Sequence, residues 1–174
     1  IAGKKIIESS WRPSVQRLAK FEWNGQAGVL RYAPDDEIEF LHEFVPGVIK
    51  QHTYEYVNAK TKRTNRRQFP KIGHKAETAA ELAVKFMELG PVLIFCTQPN
   101  FVLAVGMALM RRLVLMDSTN KPRSVLFEAT NSRSAIISSE VLGENHVVTQ
   151  LLKNGIGVHY GGLPESIRKA IEID

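Results

Sequence analysis

Pro91-Val92-Leu93-Ile94-Phe95-Cys96 is apolar from end to end, and helical patterns flank it on both sides. A run of strand length with no polar face belongs in a sheet that is covered above and below. Upstream, Ala76, Ala79, Ala80, Ala83, Phe86 and Met87 recur at helical spacing and predict a helix over Lys75–Leu89, with Gly90 as its stop. Downstream, Asn100–Val114 reads as a second helix, apolar on most sides until Arg111 and Arg112. Asp117–Arg123 is loop-like and Val125–Phe127 is a short strand candidate. A further helix is expected over Ser138–Lys153, with Val141, Val148, Leu151 and Leu152 inward and Asn154-Gly155 closing it. Ile156–His159 then forms a strand, and a last helix follows Pro164. Strands alternating with helices imply an α/β fold with a parallel sheet and helices on both faces.

Before Pro70 the rhythm is different and mostly β. Lys4–Glu8 is a strand candidate, and Val15–Trp23 and Gly28–Tyr32, joined through Asn24-Gly25, read as a β-hairpin. Ala33-Pro34-Asp35-Asp36 breaks it, and Glu37–Leu41 and Gln51–Val57 are both ambiguous. Tyr54, Tyr56 and Val57 favour a strand over Gln51–Val57. Ala59–Pro70 carries Lys60, Lys62, Arg63, Arg66 and Arg67 with almost no apolar content and reads as a basic loop, either solvated or an arm that tracks phosphates. The expected organisation is therefore a β-rich segment over 1–70 with a basic loop, then an α/β part over 71–174.

The formal charge of +5 suits a polyanionic partner. A single cysteine, Cys96, rules out an internal disulfide framework and a cysteine-based zinc site, and it fits a reducing, cytoplasmic setting. No apolar run approaches the roughly 20 residues that span a bilayer, so no membrane partner is expected. His42, His52, His74, His146 and His159 show no metal-ligand spacing.

Known nucleotide grips are missing. There is no Gly-x-x-x-x-Gly-Lys-Ser/Thr loop, and Gly155, Gly157 and Gly161 have the wrong spacing and placement for a dinucleotide fingerprint. Cys96 has no arginine six residues on, where Val102 stands, and no second thiol in Thr97-Gln98-Pro99; a structural cysteine is the better reading. A small hydrolase built on Cys96 or His159 ranks last, because neither has a partner at suitable spacing. The stretch from His159 to Arg168 is more telling. Gly161 and Gly162 leave backbone N–H groups open, Pro164 starts a helix, and Arg168 and Lys169 ride on it, which together make a phosphate grip. Gly162 is expected at positive φ in that turn, close to the phosphate. Thr97 and Gln98 end the apolar strand as His159 ends its own, so the two strand ends are expected to form one groove for a phosphodiester backbone.

These residues resemble a known family. Val92-Leu93-Ile94-Phe95-Cys96-Thr97-Gln98 followed by a helix resembles the strand–loop–helix that opens the second RecA-like domain of superfamily 2 helicases. Gly155-Ile156-Gly157-Val158-His159-Tyr160-Gly161-Gly162-Leu163-Pro164 with Arg168 resembles the Gly-Val-Ala-x-His-His-Ala-Gly-Leu segment of the DEAD/DEAH-box group, with Tyr160 and Gly161 as departures. Ser10-Trp11-Arg12-Pro13 resembles the segment with which the chain leaves the first RecA-like domain. The resemblance covers about residues 70–174 well and 1–20 loosely, and Val15–Val57 has no counterpart in it.

The resemblance implies a partial RecA-like domain, truncated, and a parent protein that is an ATP-driven nucleic-acid motor using ATP and Mg²⁺. It implies that Thr97, Gln98, His159, Gly161, Gly162 and Arg168 lie against the backbone of a single strand, DNA or RNA. The nucleotide-binding loop would precede Ile1 and the arginine finger would follow Asp174, so this chain is expected to hold no catalytic residue, no metal and no cofactor. The alternative, from a different class, is a protein-interaction module whose basic loop is merely solvated.

Overall fold

A computed structural model of the chain describes residues 19–23, 27–32, 43–58, 60–87, 89–117 and 131–174. In chain order these hold β1 (Ala19–Trp23), β2 (Ala27–Tyr32), β3 (Glu43–Lys50), β4 (His52–Val57), β5 (Thr64–Phe69), α1 (Lys75–Phe86), α2 (Pro99–Asp117), α3 (Arg133–Leu142), α4 (Val147–Lys153) and α5 (Glu165–Ile171). The chain separates into two units, residues 1–48 and 49–174. The expectations for Lys4–Glu8, Ser10–Pro13, Asn24-Gly25, Ala33–Leu41 and Val125–Phe127 lie outside the described residues.

In the first unit β1 and β2 pair antiparallel, with Phe21 opposite Leu30 and Trp23 opposite Gly28, and β3 follows β2 in the same sheet. This is the hairpin expected over Val15–Tyr32, seen from Ala19 onward. Phe21 and Trp23 share a face, as residues two apart on a strand do, with ring centroids 6.3 Å apart. Glu22 on the other face accepts from Arg31 Nε at 2.9 Å and pairs with Lys20 Nζ at 3.1 Å. The Arg31 hydrogen bond, helped by Lys20, holds its carboxyl below the usual range.

The second unit begins with a second hairpin. β4 and β5 pair antiparallel in a register that sets Tyr54 opposite Arg67 and Glu55 opposite Arg66. The ambiguous stretch Gln51–Val57 is a strand, as Tyr54, Tyr56 and Val57 favoured, whereas β5 falls where a loop was expected. Half of the supposed basic loop is therefore a strand. Its alternating burial ends in Phe69, 1% exposed, which packs with Ala80 and Ala108. Paucity of apolar residues hid β5, because only Phe69 needs burial while Arg66 and Arg67 are held by carboxylates: Arg66 Nε lies 2.8 Å from Glu55, and Arg67 pairs with the buried Glu77 of α1.

Helix α1 carries an ionic face as well as an alanine one. Glu77, Ala80, Glu81 and Val84 are buried at helical spacing. Glu77 also accepts from Lys71 N at 2.8 Å. Glu81 forms a two-pronged pair with Arg112 of α2, one bond being Nη2 to Oε1 at 3.1 Å. The Arg112 guanidinium lies 5.5 Å from the centre of the Tyr54 ring, and burial pushes the Tyr54 hydroxyl's pKa up against the opposing pull of Arg112.

Helix α2 is the spine of this unit: Ala108 joins the small core with Phe69, while Leu113 joins the larger one built from Val84, Ala135, Val148, Leu151, Leu152, Ile156, Val158, Leu163 and Ile167. Gly106 lets α4 approach. A Cβ there would stand 2.8 Å from Leu151 Cδ1, and Leu151 is fully buried and has nowhere to retreat.

The single helix expected over Ser138–Lys153 is two. Gly143 ends α3 at φ +91°, a conformation that suits glycine, and His146 starts α4 by accepting from Val148 N through Nδ1 at 3.3 Å. The break turns Val141 outward, 50% exposed, whereas Val148, Leu151 and Leu152 do face inward. Ser138 and Thr149, both buried, join the two helices through a hydroxyl pair at 2.8 Å. Asn154-Gly155 closes α4 as expected: Gly155 N donates to Leu152 O and Ile156 N to Leu151 O, with Gly155 at φ +73°.

The fold is thus mixed α/β, but the expected parallel sheet is not found among the described residues; the pairs β1–β2 and β4–β5 run antiparallel. Pro91–Cys96 joins no ladder, with Leu93 82% and Phe95 93% exposed. Ile156–His159 also joins none, although Ile156 and Val158 point inward and Gly157 and His159 outward with the period of a strand. A parallel strand needs a neighbour to pair with, and the described residues supply none beside either segment.

Candidate nucleic-acid interface

The turn that follows Val158 is shaped by its own backbone and by the core beneath. Leu163 N donates to Tyr160 O at 3.1 Å, and Leu163, 4% exposed, pins the turn to the larger core. Gly161 and Gly162 lie on the outside. A Cβ on Gly161 would meet nothing within 4 Å, and one on Gly162 would touch the Tyr160 ring at 3.3 Å. Neither has the positive φ expected for Gly162, so the constraint there is the neighbouring ring and not a left-handed backbone.

Helix α5 buries Ile167 and Ala170 and leaves its other sides to solvent. Its start is a poorer anion seat than the sequence suggested. The helix has seven residues, Pro164 caps it without a side-chain bond, and Glu165 places a carboxylate in the first turn, where positive potential would otherwise receive a phosphate. Lys169 is taken by that carboxylate at 2.6 Å. Arg168 is different: its Nε is buried with no hydrogen-bond partner and, among the described residues, no carboxylate pairs with it. A buried guanidinium nitrogen left without an acceptor is costly and calls for one.

His159 is half exposed and shares a hydrogen bond of 3.0 Å from Nε2 to Glu172 Oε1 at the end of α5. That bond orients the ring across the turn-and-helix unit. Thr97 and Gln98 are exposed just before α2, where Gln98 O accepts from Phe101 N at 3.0 Å and Val102 N at 3.3 Å. No acidic residue occupies the first turn of α2, so the helix start is electrostatically open. Among the described residues no hydrogen bond or ion pair links Thr97 or Gln98 to His159, Gly161, Gly162 or Arg168. Both ends are exposed to solvent, Thr97 and Gln98 at one and His159, Gly161 and Gly162 at the other.

Sequence reading missed the buried ion pairs of Glu77 and Glu81. The available signal was their four-residue spacing on the same helical face as Ala80 and Val84. Cys96, the candidate nucleophile ranked last, is a free thiol of intermediate exposure. No His, Cys, Asp or Glu group of three or more is gathered as for a metal ion among the described residues. No helix among them is long and apolar enough to cross a membrane.

No family model matches the chain. A similar protein is Hachiman protein HamB of Bacillus cereus, 24% identical over 168 residues, which are 94% of this chain and 14% of that protein. The chain thus spans about one seventh of the relative's length. These findings overturn the placement among superfamily 2 DEAD/DEAH-box helicases: no family model supports it, and the similar protein is Hachiman protein HamB. Short motifs on common strand–loop–helix units carry the appearance of kinship more easily than kinship itself, because backbone geometry alone selects glycine, proline and small polar residues at such turns.

Proposed function

We propose that the chain contacts the backbone of a nucleic-acid strand, with Arg168 and the exposed turn His159–Gly162 as the contact and the open start of α2 at Thr97 and Gln98 as a further one. The observation that carries this reading is Arg168. Lys153, Lys169, Arg66, Arg67 and Arg112 are each paired with a carboxylate, whereas Arg168 has a buried nitrogen without an acceptor among the described residues, in the same unit as two uncovered glycines. Arg168 is half-buried, and on turning outward its guanidinium would meet a phosphate, which supplies two acceptor oxygens in the guanidinium plane. The reading assigns no catalytic residue, metal ligand or nucleotide site to this chain, and its lone thiol suits the cytoplasm.

Titration of a labelled single-stranded oligonucleotide tests it. Arg168→Gln lowers affinity about tenfold and flattens the slope of log affinity against log salt by about 0.7, the loss of one phosphate contact. Thr97→Asp weakens binding too, while leaving the fold intact, because an acid near a helix start favours the helix and repels phosphate. Unchanged titrations for Arg168→Gln sink the reading.

A second reading has its own observation. Leu93 and Phe95 are almost fully exposed on a segment whose backbone pairs with nothing among the described residues. Such a segment is built to accept another strand. We propose that Pro91–Cys96 and Ile156–His159 are strands of a parallel, RecA-like sheet that further polypeptide completes. Slow amide exchange at Leu93 and Phe95 in isolated 1–174 would contradict this.

A further inference from the structure

We propose that the apex of the β4–β5 hairpin is a second contact for single-stranded nucleic acid, with Lys60, Lys62 and Arg63 on the phosphates and Tyr56 stacking on a base. It goes beyond the Arg168 site and stands without it, since it rests on other residues. The base of the hairpin is anchored: Phe69 is buried against Ala80 and Ala108, Arg67 is paired with Glu77, and Gln51 Nε2 donates to Pro70 O at 2.9 Å. From there six residues of strand carry the apex roughly 20 Å outward.

The described residues of the apex are tied to Asn58. Asn58 N donates to Arg63 O at 2.9 Å and Lys62 N to Asn58 O at 2.8 Å, and Asn58 Oδ1 accepts from Lys60 N at 2.9 Å and Thr61 N at 3.1 Å. Lys62 sits at φ +55°, which a bulky side chain rarely adopts. None of this employs the charged ends of Lys60, Lys62 or Arg63. All three are exposed and, among the described residues, unpaired, while the hairpin's own carboxylate Glu55 is held by Arg66.

Aromatic content decides the class of partner. Tyr56 lies opposite Asn65 at the outer end of β4 and is 41% exposed, with Val57 beside it 63% exposed. An exposed ring next to cations is the means by which proteins hold single strands without reading sequence: charge follows the backbone and the ring takes a base. The apex run Lys60-Thr61-Lys62-Arg63 has no apolar side chain to insert into a bilayer.

The test uses the 174-residue chain, a fluorescein-labelled oligothymidine of about 20 nucleotides, and anionic phosphatidylserine vesicles as the competing surface. The triple variant Lys60→Ala, Lys62→Asn, Arg63→Ala keeps every apex hydrogen bond and places at Lys62 a residue that tolerates positive φ. The expected result is an affinity loss of at least about tenfold and a salt slope flatter by about 2, for three lost phosphate contacts. Tyr56→Ala weakens binding by about fivefold or more with the slope unchanged, since stacking releases no counterions. Unaltered thermal unfolding of both variants shows that the fold is kept. Parental affinity and slope in the triple variant overturn the inference, and if Arg168→Gln still loses binding, the Arg168 reading survives alone. Vesicle binding tighter than oligonucleotide binding, and abolished by the triple substitution, also overturns it and assigns the apex to a membrane surface.

Discussion

Glu81 and Arg112 are both buried, and each is tolerable there only because of the other. A lone charge in that position loses its water and keeps at most, for Arg112, the face of Tyr54, so breaking the pair from one side costs more than the pair contributes. Glu81→Gln is therefore expected to lower unfolding free energy by about 3–5 kcal/mol, measured by urea denaturation followed by circular dichroism. The double variant Glu81→Leu, Arg112→Met recovers most of that loss, because two apolar side chains of similar volume need no partner. A single variant as stable as the parent would show that the pair is hydrated in solution. Gly106 is the opposite kind of residue. Its worth lies in the side chain it lacks, since the space of its absent Cβ belongs to Leu151.

At the scale of elements, α3 is held at its start from two directions. Ser132 accepts from Ala135 N at 3.2 Å, and Asp174 Oδ2, beyond the end of α5, accepts from Ser134 N at 2.8 Å. Hydrogen bonds from Ser134, side chain and backbone, hold the Asp174 carboxyl below its ordinary range. A carboxyl that is harder to protonate in the folded state contributes stability above its unfolded pKa and loses it as pH falls through the lower folded one. Asp174→Asn should therefore melt below the parent at neutral pH, and the two melting curves should converge in acid, beneath the ordinary aspartate range. A gap that persists undiminished into strong acid would mean that charge is not what the cap uses. The break between α3 and α4 belongs to this scale too. Periodicity carried through Gly143 with little interruption, so the residues on either side read as one helix; the left-handed glycine and the His146 cap are local conformations that a spacing count does not register.

At the scale of the molecule, the described residues leave apolar side chains exposed. Leu93, Phe95, Phe101 and Val114 each show half or more of their surface to solvent. Exposed apolar surface on an unpaired segment promotes association. The double variant Leu93→Lys, Phe95→Lys is expected to bind a hydrophobic fluorescent dye several-fold less than the parent and to stay monomeric at concentrations where the parent associates, as read by light scattering. Equal dye binding would place the sticky surface elsewhere.

What residue order alone could decide was whatever depends on near neighbours: the first hairpin, β4, α1, α2, α5 and the glycine stop of α4 all follow from spacing, capping and turn chemistry within a few residues. Tertiary contacts decided the rest. β5 exists because Phe69 finds a core and Arg67 finds Glu77; Gly162 is confined by the ring of Tyr160; and Pro91–Cys96, apolar enough for any buried strand, stays open because no strand among the described residues lies beside it. Pairing needs a partner in space, and a pattern along one chain says what a segment wants without saying whether its partner is there.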